Sequence, residues 1–351
     1  MGSEKPSLAK KALKLCKGAL CSLVVVVIGG FAVLTAYYSN IPQDQIRLAV
    51  AILIGAGVIG LLLIRPIWKS AVIALGILIL SLGWRWQISP SNDREWRIEN
   101  RQLASLETGV TNEIGVRNVR NFKYQEGGSD LVVRHEDRSY DVRNIRTVDY
   151  AISYWGAESG TIAHTFLTFG FLGDQWLSIS IEIRAEEGEK YHPFPGFFRQ
   201  YELIYVVADE RDTIGLRIDD GEGRRGEKVY LYPSVASPEQ AQKLFFDMVK
   251  RADLLAREPQ FYSTIGANCT TLLIKHLNSA LDKKIPFTRQ IILNGFSDRY
   301  AYDRGYIRNG IPFEELKQAC RVDAREISED ENFSKIIRER RDRKLKALRG
   351  N

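Results

Sequence analysis

The chain has 351 residues, a formal net charge of +6, four cysteines and four histidines. That length is room for roughly two domains. The charge is mild, and the lysines and arginines gather toward the two ends without stacking aromatics or a reader motif, which argues against nucleic-acid binding. Cys16 and Cys21 flank the start of the first apolar run, leaving Cys269 and Cys320 for the rest of the chain, too few for a disulfide framework. His135, His164, His192 and His276 are scattered, with no paired spacing, so neither a sequence-local metal site nor a cofactor is expected.

Three apolar runs come first. Residues 18–38 carry no charge and are rich in Val, Leu and Ala, long enough for the roughly 20 helical residues that a bilayer core requires. Residues 48–64 are again charge-free, and residues 70–84 form a shorter run between Lys69 and Arg85. Those two side chains can reach the headgroups, with Trp68, Trp84 and Trp86 as interfacial anchors. The spans hold no acid or paired charge at mid-depth, which argues against ion or proton conduction. Lys5, Lys10, Lys11, Lys14 and Lys17 precede the first run, and the loop RPIWK at 65–69 is basic and acid-free. The positive-inside rule then puts the N-terminus and that loop in the cytoplasm, and everything after the third span on the opposite side, the periplasm of a two-membrane bacterium. The expected arrangement is a multi-pass inner-membrane anchor, with the lipid bilayer as its partner.

Beyond a polar juxtamembrane stretch, the chain reads as an α+β domain. Strands are expected over residues 131–135, 161–169, 176–184 and 202–208. In the third of these, Leu177, Ile179, Ile181 and Ile183 alternate with Ser178, Ser180, Glu182 and Arg184. Residues 214–218 and 228–232 should continue the sheet, joined by an exposed Gly-rich connection at 221–226. Ser237-Pro238 then opens a helix to about residue 257, and Asn268 caps a second that begins at Cys269. Residues 327–348 are dense in charge and read as a solvated helix or frayed tail.

Cys269 carries the most chemical information. A thiol in the first helical turn faces free backbone N–H groups and the positive end of the helix dipole, so it is expected to be partly thiolate near neutral pH and able to attack a carbonyl. His164, on its strand with Phe166 and Thr168, is the base best suited by type, and Glu182 on the polar side of the next strand can orient the imidazole. The Cys269 N–H, with Asn268 and Tyr262, would hold an oxyanion. The blander reading treats Cys269 as a small buried hydrophobe and His164 as hydrogen-bonded structure.

The motifs IAHTFLTFGF at 162–171, ISIEIR at 179–184, GFFRQYEL at 196–203, ERD at 210–212 and NCTT at 268–271 together resemble the Lnb-type N-terminal periplasmic domain family, over roughly residues 117–306. That family is similar in motif order to circularly permuted papain-like thiol hydrolases and acyltransferases, in which the histidine strand precedes the Asn-Cys helix. The resemblance implies an antiparallel sheet with helices, with His164, Glu182 and Cys269 in catalytic order. It places the third member at Glu182, with Ser180 and Arg184 as rivals. The expected organisation is a basic cytoplasmic N-terminus at 1–17, three transmembrane helices over 18–87, a juxtamembrane segment at 88–116, a periplasmic papain-like domain at 117–320 and a charged C-terminal helix or tail at 321–351. The expected activity is that of a cysteine hydrolase or acyltransferase on a cell-envelope amide or ester in peptidoglycan, protein or lipid. The competing expectation is a non-catalytic anchored binding or assembly module.

Overall fold

The structure, a computed structural model, describes residues 8–108, 113–124, 131–155, 160–218, 226–282, 284–324, 327 and 330–350. The chain divides into two compact units, residues 1–90 with 192–200, and residues 91–191 with 201–351.

The first unit is built on three helices, α1 (Leu8–Tyr37), α2 (Asp44–Leu63) and α3 (Ile67–Gln87), each long and apolar enough to cross a membrane. Val25, Val58, Leu61 and Ala74 form their common interior. Gly29 lets α1 approach α2: a Cβ there would lie 2.4 Å from a Val58 methyl, so only a bare backbone fits. The Ser70 hydroxyl donates to the Leu61 carbonyl at 2.6 Å and closes the turn between α2 and α3. Leu53, Leu63 and Leu80 point outward, as lipid-facing positions do.

The second unit contains strands β1 (Ser105–Thr108), β2 (Glu113–Arg120), β3 (Lys123–Tyr124), β4 (Leu131–Val132), β5 (His135–Asp141), β6 (Ile145–Tyr154), β7 (Ala163–Phe171), β8 (Gln175–Arg184), β9 (Glu202–Asp209) and β10 (Lys228–Pro233). Its helices are α4 (Glu210–Ile218), α5 (Pro238–Arg257), α6 (Cys269–Ala280), α7 (Arg289–Ile292), α8 (Ser297–Asp303), α9 (Phe313–Cys320) and α10 (Phe333–Arg349). The main sheet runs β1-β2-β9-β8-β7-β6-β10, with β5 also on β2, and β3 and β4 form a separate pair. Pairing is antiparallel except where β2 meets β9. Within the juxtamembrane segment expected at 88–116, residues 105–108 form β1 and residues 113–116 the start of β2.

Strand alternation sends Leu167, Phe169, Ile179 and Ile181 to one face, where α5 and α6 cover them with Leu244, Phe245, Met248, Cys269 and Leu273. Phe166, Val229 and Leu231 point to the other face, against Ile214 and Ile218 of α4 and Phe333 and Ile337 of α10. Both covering helices of the first face start as the sequence indicates. Ser237 and Asn268 each accept a hydrogen bond from the backbone N–H three residues on, in reciprocal capping boxes.

Three expectations are corrected. Residues 214–218 are helical: Glu210 and Asp212 sit in the first turn and Arg217 in the last, a distribution that suits the helix dipole. Residues 333–349 are no frayed tail; Arg338 and Arg341 are buried beneath α10. The strand expected at 131–135 is interrupted at Val133 and Arg134. The connection expected at 221–226 lies, apart from Gly226, outside the described residues.

Candidate functional site

The site forms where β7 ends. Among the described residues the β7–β8 ladder stops at Phe166–Ser180, while β7 stays paired to β6 as far as Ala163–Tyr154. The edge of β7 at residues 163–165 is therefore open toward β8, and the N-terminus of α6 meets it there. The Thr165 hydroxyl lies 3.3 Å from that of Thr270, the residue after Cys269. The nucleophile expected from the sequence thus sits near the end of the histidine strand.

Cys269 occupies the first position of α6 and is only 8 % exposed. Burial pushes its thiol up, against the N–H groups and hydroxyls of Thr270 and Thr165, which favour the thiolate. The expectation of a partly ionised thiol is corrected accordingly: enclosure outweighs the donors. Asn294 holds the corner. Its amide nitrogen donates to the Ala163 carbonyl at 2.6 Å and to the Thr270 hydroxyl at 2.8 Å, and lies 3.8 Å from the Cys269 sulfur. Its carbonyl accepts from the Ala163 N–H at 2.8 Å. Nothing in the sequence marks Asn294, which stands before a glycine and reads as an ordinary turn residue.

Of the residues expected to hold an oxyanion, Tyr262 is buried and electrostatically coupled to Cys269. Burial, Cys269 and Tyr191 together raise its phenol. Tyr191 and Tyr150 are also raised, chiefly by burial, and each feels Cys269. The thiol therefore lies among protonated phenols. Asn268 is spent on the cap: its carbonyl accepts from the Thr271 N–H at 2.8 Å and its amide donates to Thr264 at 2.7 Å.

His164 is buried on β7 with its ring stacked on Phe166, 5.9 Å between centroids. Being one residue from Thr165, it turns its side chain to the α4 face of the sheet, whereas Cys269 belongs to the α5–α6 face. Its Nε2 is 2.7 Å from the Ser180 hydroxyl and 3.7 Å from Glu182. Ser180 in turn donates to Glu182 at 2.7 Å, and Arg217, fully buried, donates to the same carboxylate at 2.7 Å. Of the rivals for a third member, Ser180 lies nearer the imidazole than Glu182. Arg184 is engaged elsewhere, with Asn92 and the carbonyls of Asn100 and Arg101.

An apolar cavity of about 290 Å³ opens beside Thr270, with Tyr150, Leu167, Leu273, Ser297 and Tyr300 among its walls. The Tyr300 hydroxyl is buried without a hydrogen-bond partner among the described residues, a polar end in apolar surroundings.

Residues 132–295 match the family model of the Lnb N-terminal periplasmic domain. The matched segment contains His164, Glu182, Cys269 and Asn294, and the match supports the Lnb-type resemblance. Together with the three apolar N-terminal helices, it supports a membrane-anchored protein with a periplasmic domain. No curated protein and no solved structure matches the chain.

Proposed function

We propose that the protein is a multi-pass inner-membrane thiol hydrolase or acyltransferase, papain-like in permuted order, that acts through Cys269 on an amide or ester of the cell envelope. The observation that carries this reading is the Asn294 amide, which lies 3.8 Å from the Cys269 sulfur while it donates to the Ala163 carbonyl at 2.6 Å, and so sets the nucleophile beside the end of the histidine strand. His164, held at Nε2 by Ser180 with Glu182 and Arg217 behind it, is the base this reading requires. Because its side chain lies on the other face of the sheet from Cys269, the ring must turn past the open end of β7 before it takes the thiol proton. Sulfur then attacks the carbonyl carbon, the carbonyl oxygen becomes an oxyanion, and the amine or alcohol leaves with the proton from His164. The Asn294 amide and the Tyr262 phenol are the donors suited to the oxyanion, and Asn268, spent on its cap, is not. The apolar cavity beside Thr270 favours a substrate with an aliphatic portion, such as an acyl group, over a peptide that is polar throughout.

The test is alkylation of the full-length protein by iodoacetamide, read residue by residue. Cys269 should label faster than the deeper Cys320, whose thiol burial pushes up to about 12. His164→Ala should slow that labelling several-fold at a temperature well below its own thermal transition, where the variant is still folded. An unchanged rate in His164→Ala, or faster labelling of Cys320, would favour the second reading, a non-catalytic module that binds its ligand in the same cavity. The enclosure of the thiol is the observation on that side.

A further inference from the structure

Residues 192–200 lie in the chain between β8 and β9, yet they fold with α1, α2 and α3 rather than with the sheet. Three contacts fix them. The Phe198 ring packs on Phe31 at 5.7 Å and stacks on Tyr38 at 5.5 Å, so it lies along the last two turns of α1. At a rise of about 1.5 Å per residue, those two aromatics are roughly 10 Å apart along the helix axis. Arg85, in the last turn of α3, donates to the Phe197 carbonyl at 2.8 Å. Arg199 answers by donating to the carbonyls of Arg85 at 2.9 Å and Ile88 at 3.1 Å, at the C-terminal end of α3.

The segment is therefore held at the depth where α1 and α3 leave the hydrocarbon. Aromatic residues belong at that depth, and Tyr37 and Trp86 are already exposed there. Two of the loop's own rings join them: Phe194 is 45 % exposed and Phe197 38 % exposed, while Pro195, Gly196 and Phe198 are buried. Turned toward water, two such rings would form an unexplained apolar patch. At the level of Tyr37 and Trp86 they continue the lipid-facing belt of the spans.

We infer that residues 192–200 are a fourth membrane-contacting element, an interfacial loop whose Phe194 and Phe197 side chains enter the headgroup–acyl boundary of the leaflet into which α1 and α3 open. Its occupant is lipid rather than a protein partner. The inference is independent of the thiol chemistry proposed above.

The test uses full-length protein carrying Cys16→Ser, Cys21→Ser and Cys269→Ser, with Phe194→Cys labelled by an environment-sensitive nitrobenzoxadiazole and reconstituted in phosphatidylethanolamine–phosphatidylglycerol vesicles. The expected result is blue-shifted emission, quenched several-fold by lipids bearing a nitroxide near the carbonyl end of the acyl chain and little affected by aqueous iodide. The same label at Glu339→Cys on α10, an exposed charged position, should show the reverse. Phe197→Cys repeats the measurement should Phe194→Cys fail to fold. Water-like emission with iodide quenching at both loop positions would overturn the inference. Blue-shifted emission insensitive to lipid nitroxide would also overturn it, because the rings would then lie against protein.

Discussion

Replacing Arg338 by Met should destabilise the sheet unit severely, because its guanidinium is the counter-charge for two buried carboxylates. It donates to Asp149 at 3.0 Å through Nε, to the two oxygens of Glu210 at 2.6 and 2.8 Å, and to the Thr168 hydroxyl at 2.9 Å. Glu210 is fully buried and Asp149 nearly so. Asp149 keeps Arg341 at 3.2 Å after the change, but Glu210 loses its bidentate partner. Breaking one side of a buried pair costs about 3–5 kcal/mol. For a domain of this size each kcal/mol moves the midpoint by about 2–4 °C, so the full-length protein in detergent should melt roughly 6–20 °C lower. Adding Glu210→Gln removes the uncompensated charge and should restore a large part of the loss, since the neutral amide is far cheaper to bury. Thermal unfolding followed by tryptophan emission reports both values. A midpoint within about 2 °C of wild type for Arg338→Met would refute the reasoning and return α10 to the status of a solvated tail.

Two further outcomes follow from charge. Glu202 is 1 % exposed, one of its carboxylate oxygens has no partner, and burial pushes it up to about 7 despite Arg94 and the Ser91 N–H. The folded state therefore holds this proton more tightly than the unfolded chain does, and stability should fall as pH rises from about 4.5 to about 7. Glu202→Gln should flatten that slope in melts across the window, and an unchanged slope would assign it to another group. For topology, the lysines before α1 and the basic loop at 65–69 predict that a reporter active only in the periplasm works when fused after Asn351. Activity there from a reporter that needs the cytoplasm would sink the three-span orientation.

The elements legible in the sequence are those whose partners are water, lipid or their own neighbours. The apolar runs, the alternation of β8, the almost continuous apolar run of β9 and the capped starts of α5 and α6 each follow from local pattern, and the structure has all of them. The sequence reads residues 214–218 as strand and α10 as a solvated helix or tail, and both readings fail on the same physics. Local composition cannot distinguish a charge facing water from one paired in the interior. The pairs that decide the matter join residues far apart in sequence: Arg338 with Glu210 and Asp149, Arg120 with Asp212, and Arg217 with Glu182. Once these close, a polar helix can cover the second face of the sheet, and the serines of β8 lie inside rather than out.

The candidate site divides along the same line. Cys269, His164 and Glu182 stand out by residue type and by the resemblance of their motifs, and Tyr262 is placed next to the thiol as well. What the sequence could not supply is how the end of β7 is organised. Where the β7–β8 ladder stops at Phe166, Asn294, 25 residues beyond Cys269, fills the gap by bonding both Ala163 and Thr270. The enclosure that results explains why the helix-start argument misjudged the thiol. Dipole and donors act on the thiolate only after the cost of burying a charge has been met, and at Cys269 burial outweighs them. A thiol held neutral until substrate carbonyl and imidazole are both in place would be sheltered from stray oxidants. Such a nucleophile would be switched on by substrate binding rather than by its resting ionisation.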